Sequence, residues 1–159
     1  MTAALGVVPA ERADVAGVIA LIGRVYAEYG FLWDPVVEVP DLFDFGAHYE
    51  APAGAFFVVR DGGVVVGSVG VARLDAVTVE IHRLYLDAAL RGRGIGRALM
   101  QAAIGWCRQH GLVRVTLWSD TRFDAAHRLY SAMGFQRGPE RVLPGDPNDT
   151  REYFFDRAV

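Results

Sequence analysis

From residue 90 to residue 99 the chain reads Leu-Arg-Gly-Arg-Gly-Ile-Gly-Arg-Ala-Leu, between a β-rich run and a helical pattern. Glycines at 92, 94 and 96 remove the Cβ atoms that would block close approach. Consecutive backbone N–H groups and the start of a helix can then converge on a phosphate. The guanidinium groups of Arg91, Arg93 and Arg97 add charge-assisted contacts. The chemistry implied is capture of a diphosphate. Spacing separates this turn from its better-known rivals. The dinucleotide fingerprint G-x-G-x-x-G/A fails, because counting from Gly92 lands on Arg97 and counting from Gly94 lands on Leu99. The mononucleotide P-loop fails for want of a Gly-Lys pair, since the chain has no lysine and all 16 basic residues are Arg. What remains is R-x-x-G-x-G, carried by Arg91, Gly94 and Gly96.

The elements that position this turn follow from periodicity. Residues 77 to 86 (VTVEIHRLYL) form the preceding strand, with Val77, Val79, Ile81, Arg83 and Tyr85 on one face and Thr78, Glu80, His82, Leu84 and Leu86 on the other. A helix from about Gly94 to His110 follows, with Ile95, Leu99, Ala102, Ala103 and Trp106 at helical spacing and Gly111 past its end. Residues 113 to 119 return as a strand, and a strand–helix–strand crossover makes it parallel to 77 to 86. Upstream, 5 to 8 reads as a first strand and Glu11 to Tyr29 as an amphipathic helix with acids at its start. Residues 30 to 54, broken by Pro35, Pro40 and Pro52, read as a long loop with a short helix near 41 to 49. Residues 55 to 60 and 64 to 74 flank Asp61-Gly62-Gly63 as a hairpin, with Gly67 and Gly70 marking a bulge or close backbone approach. A last helix, about Asp124 to Met133, opens at Thr121-x-x-Asp124 and closes at Gly134, and 151 to 157 is the final strand.

Composition sets the frame. With 159 residues and 52% hydrophobic content the expectation is one globular domain spanning 1–159. A net charge of -3 argues against nucleic acid or anionic membrane as partners. One cysteine, Cys107, excludes an intrachain disulfide and makes a structural zinc site improbable; its helical setting beside Trp106 reads as core. With neither a leader-like N-terminus nor a span of apolar residues, the expected location is the cytoplasm.

The turn resembles the acetyl-CoA-binding motif of the Gcn5-related N-acetyltransferase superfamily. The resemblance extends to Glu80-x-x-x-Leu84-Tyr85-Leu86, similar to the family's fourth strand, and to Ala126-His127-Arg128-Leu129-Tyr130-x-x-x-Gly134-Phe135, similar to its last helix and following strand. Order and spacing match over roughly residues 55 to 137. The resemblance implies an α/β three-layer α/β/α sandwich whose mixed, mostly antiparallel sheet splays between two parallel central strands. It implies acetyl-CoA as co-substrate without a metal, contacted by Leu84, Tyr85, Leu86, Arg91, Gly92, Arg93, Gly94, Ile95, Gly96, Arg97, Asp120 and Tyr130. Where many members carry an Asn after the fifth strand, this chain has Ser119, Asp120 and Thr121.

The implied reaction is direct attack of a primary amine in a ternary complex. An alkylamine is mostly protonated at neutral pH, so a base is needed, and Glu80 and His82 are the candidates. Tyr130 stands at the family's general-acid position, although its stripe with Ala126, Leu129 and Met133 also fits a core tyrosine. A backbone N–H near Leu86 would hold the carbonyl oxygen. The acceptor is a small-molecule amine or a peptide amine, shaped by 30 to 54 and 138 to 150, where Asp34, Glu38, Asp41 and Asp44 suit a cationic group. Many members dimerise, which brings the aromatic tail forward as a homodimer surface. The alternative is a catalytically inactive acyl-CoA-binding sensor or partner module, which needs the turn but neither Glu80 nor Tyr130.

Overall fold

The computed structural model describes residues 5–159. Seven strands form one sheet in the order β1-β2-β3-β4-β5-β7-β6. They are β1 (Val7–Pro9), β2 (Gly54–Asp61), β3 (Val64–Arg73), β4 (Thr78–Leu86), β5 (Arg114–Asp120), β6 (Gln136–Val142) and β7 (Arg151–Ala158). Five helices accompany them: α1 (Val15–Tyr29), α2 (Pro35–Glu38), α3 (Phe45–Tyr49), α4 (Ile95–Gln109) and α5 (Asp124–Ala132). All neighbouring strands are antiparallel except β4 and β5.

The sheet separates two apolar clusters. Leu99, Met100, Ala103, Ile104 and Cys107 of α4 pack with Tyr130 of α5 against Val69, Val71, Val79, Ile81, Val115 and Leu117. On the opposite face Val18, Leu21, Ile22 and Val25 of α1 join Phe45 and Tyr49 of α3 against Phe56, Val58 and Val65. The result is the expected three-layer mixed α/β sandwich.

Two features shape the centre. The parallel ladder is short, running only from Thr78 beside Arg114 to Ile81 beside Leu117. Beyond that point β4 and β5 are no longer paired, which opens the sheet. The second is a bulge. In the β3–β4 ladder Ser68 faces Tyr85 while Gly70 faces His82, so Arg83 and Leu84 together oppose Val69. Arg83 takes the left-handed conformation, φ 55°.

This bulge corrects the simple alternation read from the sequence. Val79 and Ile81 point to the α4 side, but beyond the bulge it is Leu84 and Leu86 that join that cluster, while Tyr85 packs with α1 and α3. Arg83, expected beside Val79, reaches Asp41 on the other side. An extra residue shifts a period of two by one, so every later side chain changes face.

Other differences are local. The 30 to 54 stretch holds α2, a 3-10 turn over Pro40–Asp44 and α3, rather than one short helix. Asp34 starts α2 by accepting from the Val36 N–H, with Pro35 at the first helical position. Phe123, not Thr121, occupies the N-cap of α5, and no side chain caps it. The tail strand β7 inserts between β5 and β6.

Candidate active site

The glycine-rich turn lies between β4 and α4. Gly92 and Gly94 have φ of 77° and 79°, a conformation that a Cβ would strain, and Gly94 is the N-cap of α4. The first backbone bond into the helix runs from the Ala98 N–H to the Gly94 carbonyl. Among the described residues, the N–H groups of 92 to 97 have no backbone partner. They lie at a helix start, where unpaired N–H groups can bind phosphate oxygens.

A cavity of about 320 Å³ opens over this turn. Its wall includes Leu84, Tyr85, Leu86, Arg91, Gly92, Gly94, Gly96 and Arg97. Arg93 is exposed beside it, and Ile95 packs toward the α4 core; neither side chain forms the wall. Arg91 is drawn in by an ion pair with Glu28 of α1 and a 3.0 Å bond to the Leu86 carbonyl.

A second cavity of about 390 Å³ occupies the other side of the opened sheet. Glu80, His82, Ser119, Asp120 and Tyr130 line it. The two cavities share Leu84, Tyr85, Phe123 and Ala126. They therefore meet where β4 and β5 part, beside the bulge.

Burial pushes the Tyr130 phenol up, with Ser119 beside it opposing in part. Such a group keeps its proton at neutral pH. Ser119 in turn lies 3.1 Å from His127 Nε2. Glu80 sits 2.7 Å from His82 Nε2, and this contact, against the opposing effect of burial, holds its carboxyl below the usual range. Its partner is thus His82 rather than an arginine of a neighbouring strand. His82 also meets the Tyr49 hydroxyl through Nδ1 at 3.0 Å. Asp120 is bound by Arg122 through bonds of 2.9 and 2.7 Å and turned toward it. Burial pushes the Cys107 thiol up to about 11, which leaves it protonated and unreactive.

The acceptor-side acids divide. Asp41 is taken by Arg83, Asp34 caps α2, and Asp44 is exposed and outside the wall. Glu38 lines the cavity and accepts from Tyr26 at 3.2 Å. Asn148, on the cavity wall, accepts from the Leu32 N–H at 2.7 Å and donates to the Leu32 carbonyl at 3.0 Å. Tyr49, Arg83 and Asn148 were not singled out by sequence as site residues, and Asp41, expected to face a cationic group, is paired with Arg83 instead. The sole hint was an arginine where the strand pattern called for an apolar side chain.

A sheet split at its centre, with a phosphate-type turn on one side and titratable groups on the other, is the arrangement of a group-transfer enzyme. The sequence matches the acetyltransferase (GNAT) family over residues 22–135, and the chain belongs to that family. An N-acetylaspartate synthetase of Danio rerio is 36% identical over 72% of this chain, which spans 43% of that protein. An uncharacterized N-acetyltransferase of Escherichia coli is 31% identical over 77% of each chain. Among solved structures, a GNAT-family acetyltransferase of Staphylococcus aureus superposes with TM-score 0.84 at 24% identity, over 98% of this chain and 99% of that one. A Salmonella typhimurium protein solved with acetyl-CoA as its cofactor gives 0.77 at 20% identity, over 98% and 94%. Both share the fold. No helix among the described residues is long and apolar enough to cross a membrane.

Proposed function

We propose that this chain, acting as one catalytic domain, transfers the acetyl group of acetyl-CoA to a primary amine by direct attack. The observation that carries this reading is the meeting of the two cavities at Leu84, Tyr85, Phe123 and Ala126. The diphosphate would lie on the amides of 92 to 97, with Arg91 and Arg97 supplying charge. The thioester would reach the junction along Leu84 to Leu86, where the bulge frees backbone N–H groups for its carbonyl oxygen. The amine would enter from the cavity of Glu80 and His82. Tyr130, lining that same cavity and protonated, would give its proton to the departing thiolate. Arg93 and Ile95 would contribute to the cofactor site through the backbone, whereas Asp120, which lines the other cavity, would meet the cofactor only near the junction.

Family membership supports the donor, and the fit of free amides, positive-φ glycines and arginines supports its place. The acceptor is an amine of a small molecule or a peptide end that fits the cavity beside the Leu32–Asn148 contact. Thiol release from acetyl-CoA with an amine panel, set beside calorimetry with coenzyme A, tests the reading. Turnover with micromolar binding is expected; no heat of coenzyme A binding overturns it.

A further inference from the structure

A buried chain of polar groups runs from the core to the acceptor cavity. Arg83 binds Asp41, and the Tyr49 hydroxyl also contacts Asp41. Burial works to raise the Asp41 carboxyl, but the Arg83 pairing and the Tyr49 contact bring it below the usual range. It is therefore ionised and has no hydrogen, so the Tyr49 O–H donates to it. The Tyr49 oxygen is then free only to accept, and 3.0 Å away stands His82 Nδ1. The proton of that contact belongs to Nδ1.

Tyr49 cannot turn away. It is 3% exposed, sits edge-on to Phe56, and lies so close to Gly70 that a Cβ there would be 2.8 Å from its ring. Glu80, 2.7 Å from Nε2, lines the cavity and is partly exposed to it. When the imidazole is neutral, the contact with the cavity-facing carboxylate is the one that yields, because the hydroxyl is fixed by its packing. Nε2 is the nitrogen left with a lone pair, on the cavity side.

Resting on the amine-acetylation reading, we propose that His82 takes the acceptor's proton on Nε2, with Glu80 as counter-ion, and that Tyr49 is the positioning residue that makes this nitrogen the basic one. The acceptor ammonium loses one proton to Nε2. The amine lone pair then forms the N–C bond as the C–S bond breaks, and the thiolate takes the Tyr130 proton. The second nitrogen proton leaves to solvent or restores Tyr130. Tyr49 does not line the cavity and acts only through His82. Besides this pair, the cavity wall carries the acids Glu38, Asp41, Asp120, Asp146 and Glu152 and the basic groups His48, Arg83 and Arg141.

The tautomer can be read without turnover. In protein labelled with 15N at its four histidines, with His82 assigned through His82→Gln, long-range N–H correlation spectra should show neutral His82 protonated on Nδ1. In Tyr49→Phe, which keeps the ring, the neutral form should switch to Nε2–H facing Glu80. Its kcat should fall about tenfold, with KM for acetyl-CoA unchanged and the low-pH limb of kcat/KM moved to lower pH. His82→Gln should lose about a hundredfold, the usual range for a general base. An Nε2–H tautomer in the wild type overturns the proposal, as does a Tyr49→Phe enzyme with wild-type tautomer or pH profile. No turnover with any acceptor overturns the acetylation reading itself, whatever tautomer is found.

Discussion

Asp41→Asn should both destabilise the protein and slow it, because one carboxylate holds the bulge that sets the cavity faces. Arg83 is a non-glycine residue at φ 55°, a conformation costing about 1–2 kcal/mol. Two restraints offset that cost: the paired bonds from Arg83 to Asp41, and the Ser68 hydroxyl donating to the Arg83 carbonyl at 2.7 Å. The Asp41 and Arg83 side chains are only 10% and 22% exposed. Removing one partner of such a pair typically costs ~3–5 kcal/mol, and the partial exposure of Arg83 places the loss near the lower end. For a chain of this size ~3 kcal/mol lowers the melting temperature by roughly 6–12 °C. That loss exceeds the strain being held, so β4 should drift toward unbulged pairing and kcat should fall with it. Arg83→Gly removes the strain and the orphaned cation together. The double variant should therefore be more stable than Asp41→Asn alone, with a coupling of about 2 kcal/mol. The pH dependence has a definite sign. A carboxyl depressed in the folded state stabilises fully above its ordinary value of 3.8 and loses that contribution as pH falls through the lower folded value. Wild type and Asp41→Asn should thus converge in urea stability only below about pH 3.8. A loss under 1 kcal/mol at pH 7, or additive single and double variants, would refute the reasoning.

Tyr130→Phe should reduce kcat by about a hundredfold or more while coenzyme A affinity by calorimetry stays within twofold, since the hydroxyl is proposed to meet only the leaving thiolate. Glu28→Gln should tighten coenzyme A binding by up to about fivefold at low salt. It releases Arg91 from a half-exposed pair and removes an anion from beside the diphosphate site, and such pairs are worth under about 1 kcal/mol. Among acceptors, diamines should exceed dicarboxylic amino acids of similar length by at least about tenfold in kcat/KM. The arginines lining the acceptor cavity, Arg83 and Arg141, are already paired with Asp41 and Glu152, and among the described residues Glu38 and Asp146 form no ion pair. Faster turnover of aspartate than of a diamine would overturn that ordering.

The two sides of the site were unequally legible, for a physical reason. A diphosphate is read by main-chain amides, and presenting them takes a strand end, glycines at positive φ and a helix start, all within ten consecutive residues. Such a device is written in local sequence, so R-x-x-G-x-G and the helix after it could be placed from spacing alone. The hairpin of β2 and β3 was legible in the same way, from Asp61-Gly62-Gly63 between two apolar runs. The acceptor side is assembled otherwise. Arg83 sits where it does because Asp41, 42 residues earlier, is buried beneath it; His82 points as it does because Gly70 makes room for Tyr49. Asn148 joins Leu32 across 116 residues. No window of sequence contains those pairs, and strand periodicity, which assumes an unbroken ladder, assigns the faces beyond His82 wrongly. The order β5-β7-β6 is hidden for the same reason, since pairing between distant strands leaves no mark in either strand alone. A cofactor made of phosphates selects for local, repeatable grammar. On the proposed reading an amine would be recognised by side chains brought together from α2, α3, β4 and the β6–β7 connection, contacts that only the folded chain makes.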